Sequence, residues 1–460
     1  MVKKYFLIQY IQIATTLVLL MLLILIEALV LENIAILILG MAFIALGILF
    51  TLLVYRNHDS RNALYIFLLF FLLYLIYTSL VHFGMLYFYD VPNIAPDEHH
   101  FYLSSNEIAL KVNSEYGFFD MAETVAYRDT VAFVYWNGLI AKFANMYAEN
   151  SVFIQKISVA LVGSLIPMLM YGVSRIYFSS KDSFSIAIVY GLFSFVPYLS
   201  SLLLRDIHIA LMFILTIYII LEKFSFLNFI ILLCAMFVSY YLRPQTGVFM
   251  MGFTLIYLFI FIRNIPLSNA IKVFIYSTFI GITIIAVLNS PLMEMFTQIS
   301  ESSAQRGVAA TSSSSLGATL GKLPFGLNVV AKFSFSQIQP FPPSWIFKGI
   351  NRGFFELTYL IAGIAWFFGW GFLLYGLFVE KILKNKDLKL IIMFFFALVY
   401  LVLISIIEFN QRRQMAVYPI VYLCMVFSYL AIDKSIRTKL WIGLGTLYIS
   451  LVLLLNYIKL

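Results

Sequence analysis

About thirteen apolar runs, each long enough or nearly long enough to cross a bilayer, set the limits on what this chain can fold into. They cover Ile11–Leu31, Ile34–Val54, Ala63–Phe88, Val152–Ser174, Phe184–Leu204, Ile207–Leu221, Phe226–Leu242, Val248–Ile262, Val273–Leu288, Leu357–Phe378, Leu390–Ile407, Met415–Leu430 and Leu440–Leu455. Each is apolar on every face, so the period-two pattern of a membrane barrel is excluded and helices remain. A chain that is 63% hydrophobic and 11% charged cannot hide its apolar surface in a soluble core. The expected fold is an all-α polytopic membrane protein, one integral domain over residues 1–460 that opens with a helix hairpin at 1–62. Cys234 and Cys424 both lie in apolar runs, with no spacing that suggests a disulfide framework or a zinc site.

Lys and Arg in the short loops assign the sides. With the N-terminus in the cytoplasm, 16 of the 30 basic residues and six of the 22 acids fall inside, so that face carries 16 minus 6, or +10. The outer face then holds 14 basic residues and 16 acids, or −2. The basic excess marks topology and faces anionic lipid, which argues against nucleic acid as a partner. The cytoplasmic membrane is the expected location.

Two long segments fall outside, at 89–151 and 289–356. The first contains "VAFVYWNGLIAKFANMY" (Val131–Tyr147), apolar and aromatic but short and interrupted, which predicts a helix lying at the interface. The second contains "TSSSSLGATLG" (Thr311–Gly321), a flexible composition that suits a lid or a simple connection.

The polar residues gather at the outer level. "PNIAPDEHHFY" (Pro92–Tyr102) puts Asp97, Glu98, His99 and His100 together just after the third run. Pro96 suits the first position of a helix, and Asp97 and His100 then share one face. A carboxylate there can take a proton from a hydroxyl or hold a cation. Three further outer turns carry charge: "LLLRDIHIA" with Arg205 and Asp206, "YYLRPQTG" with Arg243, and "IIEFNQRRQMAVYP" with Glu408, Arg412 and Arg413. One outer arginine can simply reach a lipid phosphate. Three arginine turns level with an acidic cluster point to a shared site for an anionic group. The runs carry almost no ionisable groups at mid-membrane, where ion-coupled transporters hold theirs.

The outer carboxylate motif "PDEHHFY", the "RD" pair at Arg205 and Asp206, and "RRQMAVYP" entering a late helix together resemble the GT-C superfamily of polytopic glycosyltransferases. The likeness covers most of the chain. It departs from the plainest pattern in a two-helix hairpin ahead of the helix that leads to the acidic loop, and no large soluble domain follows the last run. The resemblance implies transfer of a sugar from a polyprenyl-phosphate donor to a glycan or lipid-linked acceptor on the outer face, with inversion. It implies Asp97 as the base, with Glu98 as the alternative. Arg205, Arg243, Arg412 and Arg413 would steady the departing phosphate, and Asp206 would orient Arg205 or bind sugar hydroxyls. His99 and His100 would bind sugar hydroxyls or join Asp97 at a divalent cation; no other cofactor is implied. Two other functions stay open: a repeat-unit polymerase or ligase of surface polysaccharide, and a flippase for lipid-linked oligosaccharide.

Overall fold

The computed structural model describes residues 2–55, 59–112, 117–120, 130–222, 225–264, 268–288, 323–338, 355–384, 386–407 and 411–459. Every regular element among them is helical. That follows from the surroundings these residues suit: in lipid a backbone must satisfy its own hydrogen bonds, and a helix does so within one segment. Nine helices among the described residues are long and apolar enough to cross a membrane, which makes the chain an integral membrane protein in a bilayer. The run expected at Phe184–Leu204 is not one continuous helix. It forms Ser180–Phe193, a break at Ser194, and one short helix, Val196–Ser200. Ser194 is extended, its hydroxyl accepts from the Val196 amide at 3.3 Å, and Pro197 sits in the first turn of the new helix.

The chain opens with α1 (Val2–Val30) and α2 (Ile34–Val54), an antiparallel hairpin packed on α3 (Asp59–Tyr89). Asn33 forms the turn, its side-chain oxygen accepting from the Ala35 amide at 3.0 Å. Two short helices follow α3: α4 (Pro96–Lys111) and α5 (Val131–Ala144). Helix α5 has 14 residues and reaches roughly 21 Å at ~1.5 Å per residue, less than a bilayer core. The two pack closely because Gly138 lets Ile108 and the Ser105 carbonyl approach, where a Cβ would stand 2.5 Å from Ile108.

Helix α6 (Val152–Arg175) is the centre of the molecule. Its apolar window is 94% buried, against 6% for the last helix, Lys434–Lys459. Around α6 stand α2, α3, α7 (Ser180–Phe193), α8 (Val196–Ser200) and α9 (Asp206–Leu221). Then come α10 (Phe226–Leu242), α11 (Pro244–Asn264), α12 (Asn269–Leu288) and α13 (Phe325–Ile338). A second group completes the bundle: α14 (Leu357–Phe378), α15 (Leu388–Ile407), the four-residue α16 (Gln411–Gln414), a 3₁₀ turn at Met415–Val417, α17 (Tyr418–Ala431) and α18 (Lys434–Lys459). The segment Thr311–Gly321 lies outside the described residues.

Contacts sort the helix ends into two groups. At one end Arg175 pairs with Asp59 at 3.1 Å, Tyr177 donates to Asp387 at 2.9 Å, and Lys389 reaches the Glu222 carbonyl. At the other end the Asn33 amide group donates to the Glu149 carbonyl, and the Leu203 amide donates to Glu98. That second end carries Asp97.

At the crossing of α6 and α8, Gly163 faces Ser200, and a Cβ on Gly163 would overlap the serine hydroxyl. Gly163→Val should therefore lower stability by about 1–3 kcal/mol through overpacking, read as a drop in melting midpoint of the detergent-solubilised protein. Gly281→Val, where nothing stands within 4 Å of the built Cβ, should leave the midpoint nearly unchanged.

Candidate functional site

The floor of the site is a buried ion pair. Glu98 and Lys156 are both fully buried, with Oε2 and Nζ 3.1 Å apart. Glu98 lies in the first turn of α4, where Oε1 accepts from the Ile94 and Ala95 amides at 2.9 Å each. This is the reaching-back half of a capping box, and Pro96 fills the adjacent first-turn position that needs no amide. Oε2 also accepts from the Leu203 amide at 2.9 Å, and Lys156 donates to the Pro92 carbonyl at 2.7 Å. Buried charges persist only when paired and hydrogen-bonded. Here the pairing fastens three pieces of backbone: the loop before α4, the start of α6 and the turn before α9. Glu98 therefore acts as the anchor that orients its neighbour, with its carboxylate engaged by four donors.

Asp97 is that neighbour. Its side chain is 19% exposed, and Oδ2 lies 3.3 Å from Nη2 of Arg412. Arg412 comes from α16, more than 300 residues along the chain. A four-residue helix has little stability of its own, so side chains hold it. Gln411 and Gln414 flank the two arginines and are both buried. Gln411 donates to the Ser336 carbonyl at 3.0 Å and accepts from the Tyr359 hydroxyl at 2.6 Å. Gln414 accepts from Gln337 at 2.7 Å and donates to Ser405 at 3.2 Å. Gln337 in turn accepts from the indoles of Trp366 and Trp370, both at 3.2 Å. The Tyr400 hydroxyl donates to the Arg413 carbonyl at 3.0 Å. A satisfied buried network of this kind fixes the turn and aims Arg412 and Arg413.

The remaining two turns converge on the same place. Arg243 caps α10 in an extended conformation, as expected ahead of Pro244. Its Nη2 donates to Asp206 Oδ1 at 2.8 Å, with both side chains nearly buried. Arg205 donates to the Leu242 carbonyl at 3.1 Å, at the carbonyl-rich end of α10. The electrostatics show how close the group is. Burial, then the like charge of Arg243, with Arg413 and Arg412 adding to it, push the Arg205 guanidinium down to about 9, while Asp206 opposes them. The charge of Arg412 also acts on Asp206. Nε of Arg243 is buried and meets no acceptor among the described residues, a state that buried N–H groups seldom keep. Four arginines thus converge around Asp206 and Asp97 in a field where like charges already repel. Such a place suits an anion with several oxygens.

Not every residue of the sequence-derived set joins this cluster. His99 and His100 are exposed at the start of α4, with their rings 6.1 Å apart. Glu408 lies outside the described residues. Among the described residues no three His, Cys, Asp or Glu side chains converge as a metal-binding group. Asp97 and His100 lie one turn apart at the start of α4. Asp120, in the segment between α4 and α5, accepts from the Gly117 amide at 2.8 Å. Glu27 accepts from Ser79 between α1 and α3, and His82 packs on Phe153, so both serve the helix packing.

Lys156, Gln337, Gln411 and Gln414 are the residues that reading the sequence missed. Lys156 was visible as a single cation in an apolar run, but its partner is 58 residues away. The flanking glutamines of "QRRQ" were a signal that went unused: an i, i+3 pair shares a helix face. No family model matches this chain, and no curated protein or solved structure matches it.

The two ion pairs of the cluster differ in burial, which separates their effects on stability. Arg243→Met leaves Asp206 charged and buried and should cost about 3–5 kcal/mol. Arg412→Met, at a pair that water reaches, should cost about 1 kcal/mol or less. Unfolding midpoints of the two variants in one detergent check the order, which reverses if the exposed pair is the structural one.

Proposed function

We propose that this protein is a membrane glycosyltransferase of the GT-C type, moving a sugar from a polyprenyl-phosphate donor to an acceptor hydroxyl on the outer face of the cytoplasmic membrane. The observation that carries the reading is the meeting of Asp97 with Arg412 in a cluster that also holds Arg205, Arg243 and Arg413, at one end of a membrane bundle. A carboxylate beside a group of guanidinium side chains is what such a transfer requires. Asp97 takes the proton of the acceptor hydroxyl as its oxygen attacks the anomeric carbon. The bond from that carbon to the phosphate oxygen breaks on the opposite face, its electron pair goes to the phosphate, and the configuration inverts. The arginines are in place before that charge develops, where fixed positive groups contribute most. Asp206 holds Arg243 in its pose, and Glu98 with Lys156 holds Asp97 in its own. His99 and His100, exposed beside Asp97, are available to the sugar or the acceptor.

The membrane arrangement we propose has thirteen spans with the N-terminus in the cytoplasm. Four further apolar segments add to those nine: 180–200, where Ser180–Phe193 and Val196–Ser200 together make up the length that neither has alone, Asp206–Leu221, Phe226–Leu242 and Asn269–Leu288. Helix α9 supports its own assignment: Asp206 at its start meets Arg243 at one end of the bundle, and Leu221 and Glu222 at its close meet Lys389 at the other. The end with Arg175, Lys386 and Lys389 is the basic one, which favours a cytoplasmic location for it. A site at the opposite end lets a lipid keep its tail in the bilayer while its phosphate reaches the arginines.

Turnover of labelled polyprenyl-phosphate sugars by the purified protein in lipid tests the reading. Asp97→Asn should lower the rate by about 10²–10⁴-fold, the usual contribution of a general base, with the melting midpoint nearly unchanged. Full activity in Asp97→Asn would remove Asp97 as the base.

A further inference from the structure

The cluster contains two carboxylate–guanidinium pairs of unlike character. Arg243 and Asp206 are 2.8 Å apart, with side chains 8% and 3% exposed. Arg412 and Asp97 are 3.3 Å apart, with side chains 21% and 19% exposed. Opening the first would strand two dry charges. Opening the second costs little, because water reaches both partners and the contact is long.

Arg412 also stands within electrostatic reach of the other pair and of Arg205. Its guanidinium therefore has two places to be useful: against Asp97, or turned into the arginine group. With no anion present the second is unfavourable, since Arg205 already feels Arg243, Arg413 and Arg412 as like charges. A phosphate at that position reverses the balance. The donor's phosphate is a diester with a single negative charge, but it sits among three other guanidinium groups, where it offsets their repulsion, and its non-bridging oxygens suit a fork with parallel N–H groups. Gln411 and Gln414 pin the backbone of α16, so the exchange takes place in the Arg412 side chain.

We propose that Arg412 masks Asp97 until a lipid phosphate draws it into the arginine cluster, so that binding of the phosphate-bearing lipid is the event that frees the base. The inference rests on the glycosyl-transfer reading and adds an order of events to it. An Arg412 N–H occupies Oδ2 of Asp97, a lone pair that an acceptor hydroxyl would need. An acceptor that arrives before the donor therefore meets an oxygen already engaged. When the phosphate settles among Arg205, Arg243 and Arg413, Arg412 joins it and Asp97 turns to the acceptor. After transfer, departure of the polyprenyl phosphate lets Arg412 return.

Binding of farnesyl phosphate to the full-length protein in phosphatidylcholine nanodiscs tests this, with farnesol as the uncharged control. Four forms are compared: wild type, Asp97→Asn, Arg412→Gln and the double variant, as a thermodynamic cycle. Removing the competing carboxylate should tighten farnesyl phosphate about tenfold in the wild-type background. In the Arg412→Gln background the same change should alter affinity less than about twofold. Asp97→Ser, which removes the charge with another side chain, should tighten binding as Asp97→Asn does. Equal tightening in both backgrounds would mean that Asp97 repels the phosphate through space without a latch, and the proposal falls. No tightening in either neutral variant also overturns it, while leaving the glycosyl-transfer reading standing. If farnesyl phosphate binds no better than farnesol to any form, the anion site is wrong and both readings fall together.

Discussion

Everything at the Asp97 end of this molecule depends on one buried ion pair, Glu98 with Lys156. Each is fully out of water, and neither could stay charged there alone. The Glu98 carboxylate is fully engaged: two amides before α4, the amide of Leu203 and the Lys156 ammonium all meet it. The pair ties the loop before α4 to α6, the most buried of the described spans. A loop fastened in this way can present its next side chain, Asp97, in one fixed direction. A loop held only by solvent-exposed contacts could not.

The arginine side of the site is positioned by a different means. Arg412 and Arg413 sit on a helix too short to be stable alone, and a chain of neutral hydrogen bonds from Gln337, Gln411, Gln414, Tyr359 and two tryptophans braces it. Neutral groups suit that task, because adding more buried charge beside four guanidinium groups would either cancel their field or raise their mutual repulsion. The division of labour is physical: ionic anchoring under the carboxylate, uncharged bracing under the cations. Between them, the Arg243–Asp206 pair keeps the nest from flying apart while leaving the field positive.

Adjacent residues in "PDEHH" consequently have opposite environments. Glu98 faces inward because a first-turn glutamate at the third helical position reaches back to the amides ahead of the helix. Asp97, one residue earlier and about 100° around the helix, faces Arg412, and His99 and His100 are exposed. From the sequence alone the two acids were first and second candidates for one role. The helix turn separates them into a buried anchor and a partly exposed carboxylate that meets Arg412.

Hydrophobic run lengths determined that this chain is helical and lives in a bilayer, since backbone amides in lipid leave no alternative. Outer charges in "PDEHHFY", "LLLRD", "YYLRP" and "QRRQ" were readable as candidates because charge near a membrane edge is expensive and seldom idle. The break at Ser194 was less readable, because an apolar run carries no record of where a serine and a proline will end the helix. What only the tertiary structure decided is which charges meet. Glu98 and Lys156 are 58 residues apart, Arg243 and Asp206 37, and Asp97 and Arg412 315. Local composition fixes which solvent a segment prefers, but the pairing of distant charges is set by how the helices pack. That is why the sequence named most of the site's residues and could not say which of them would hold the others in place.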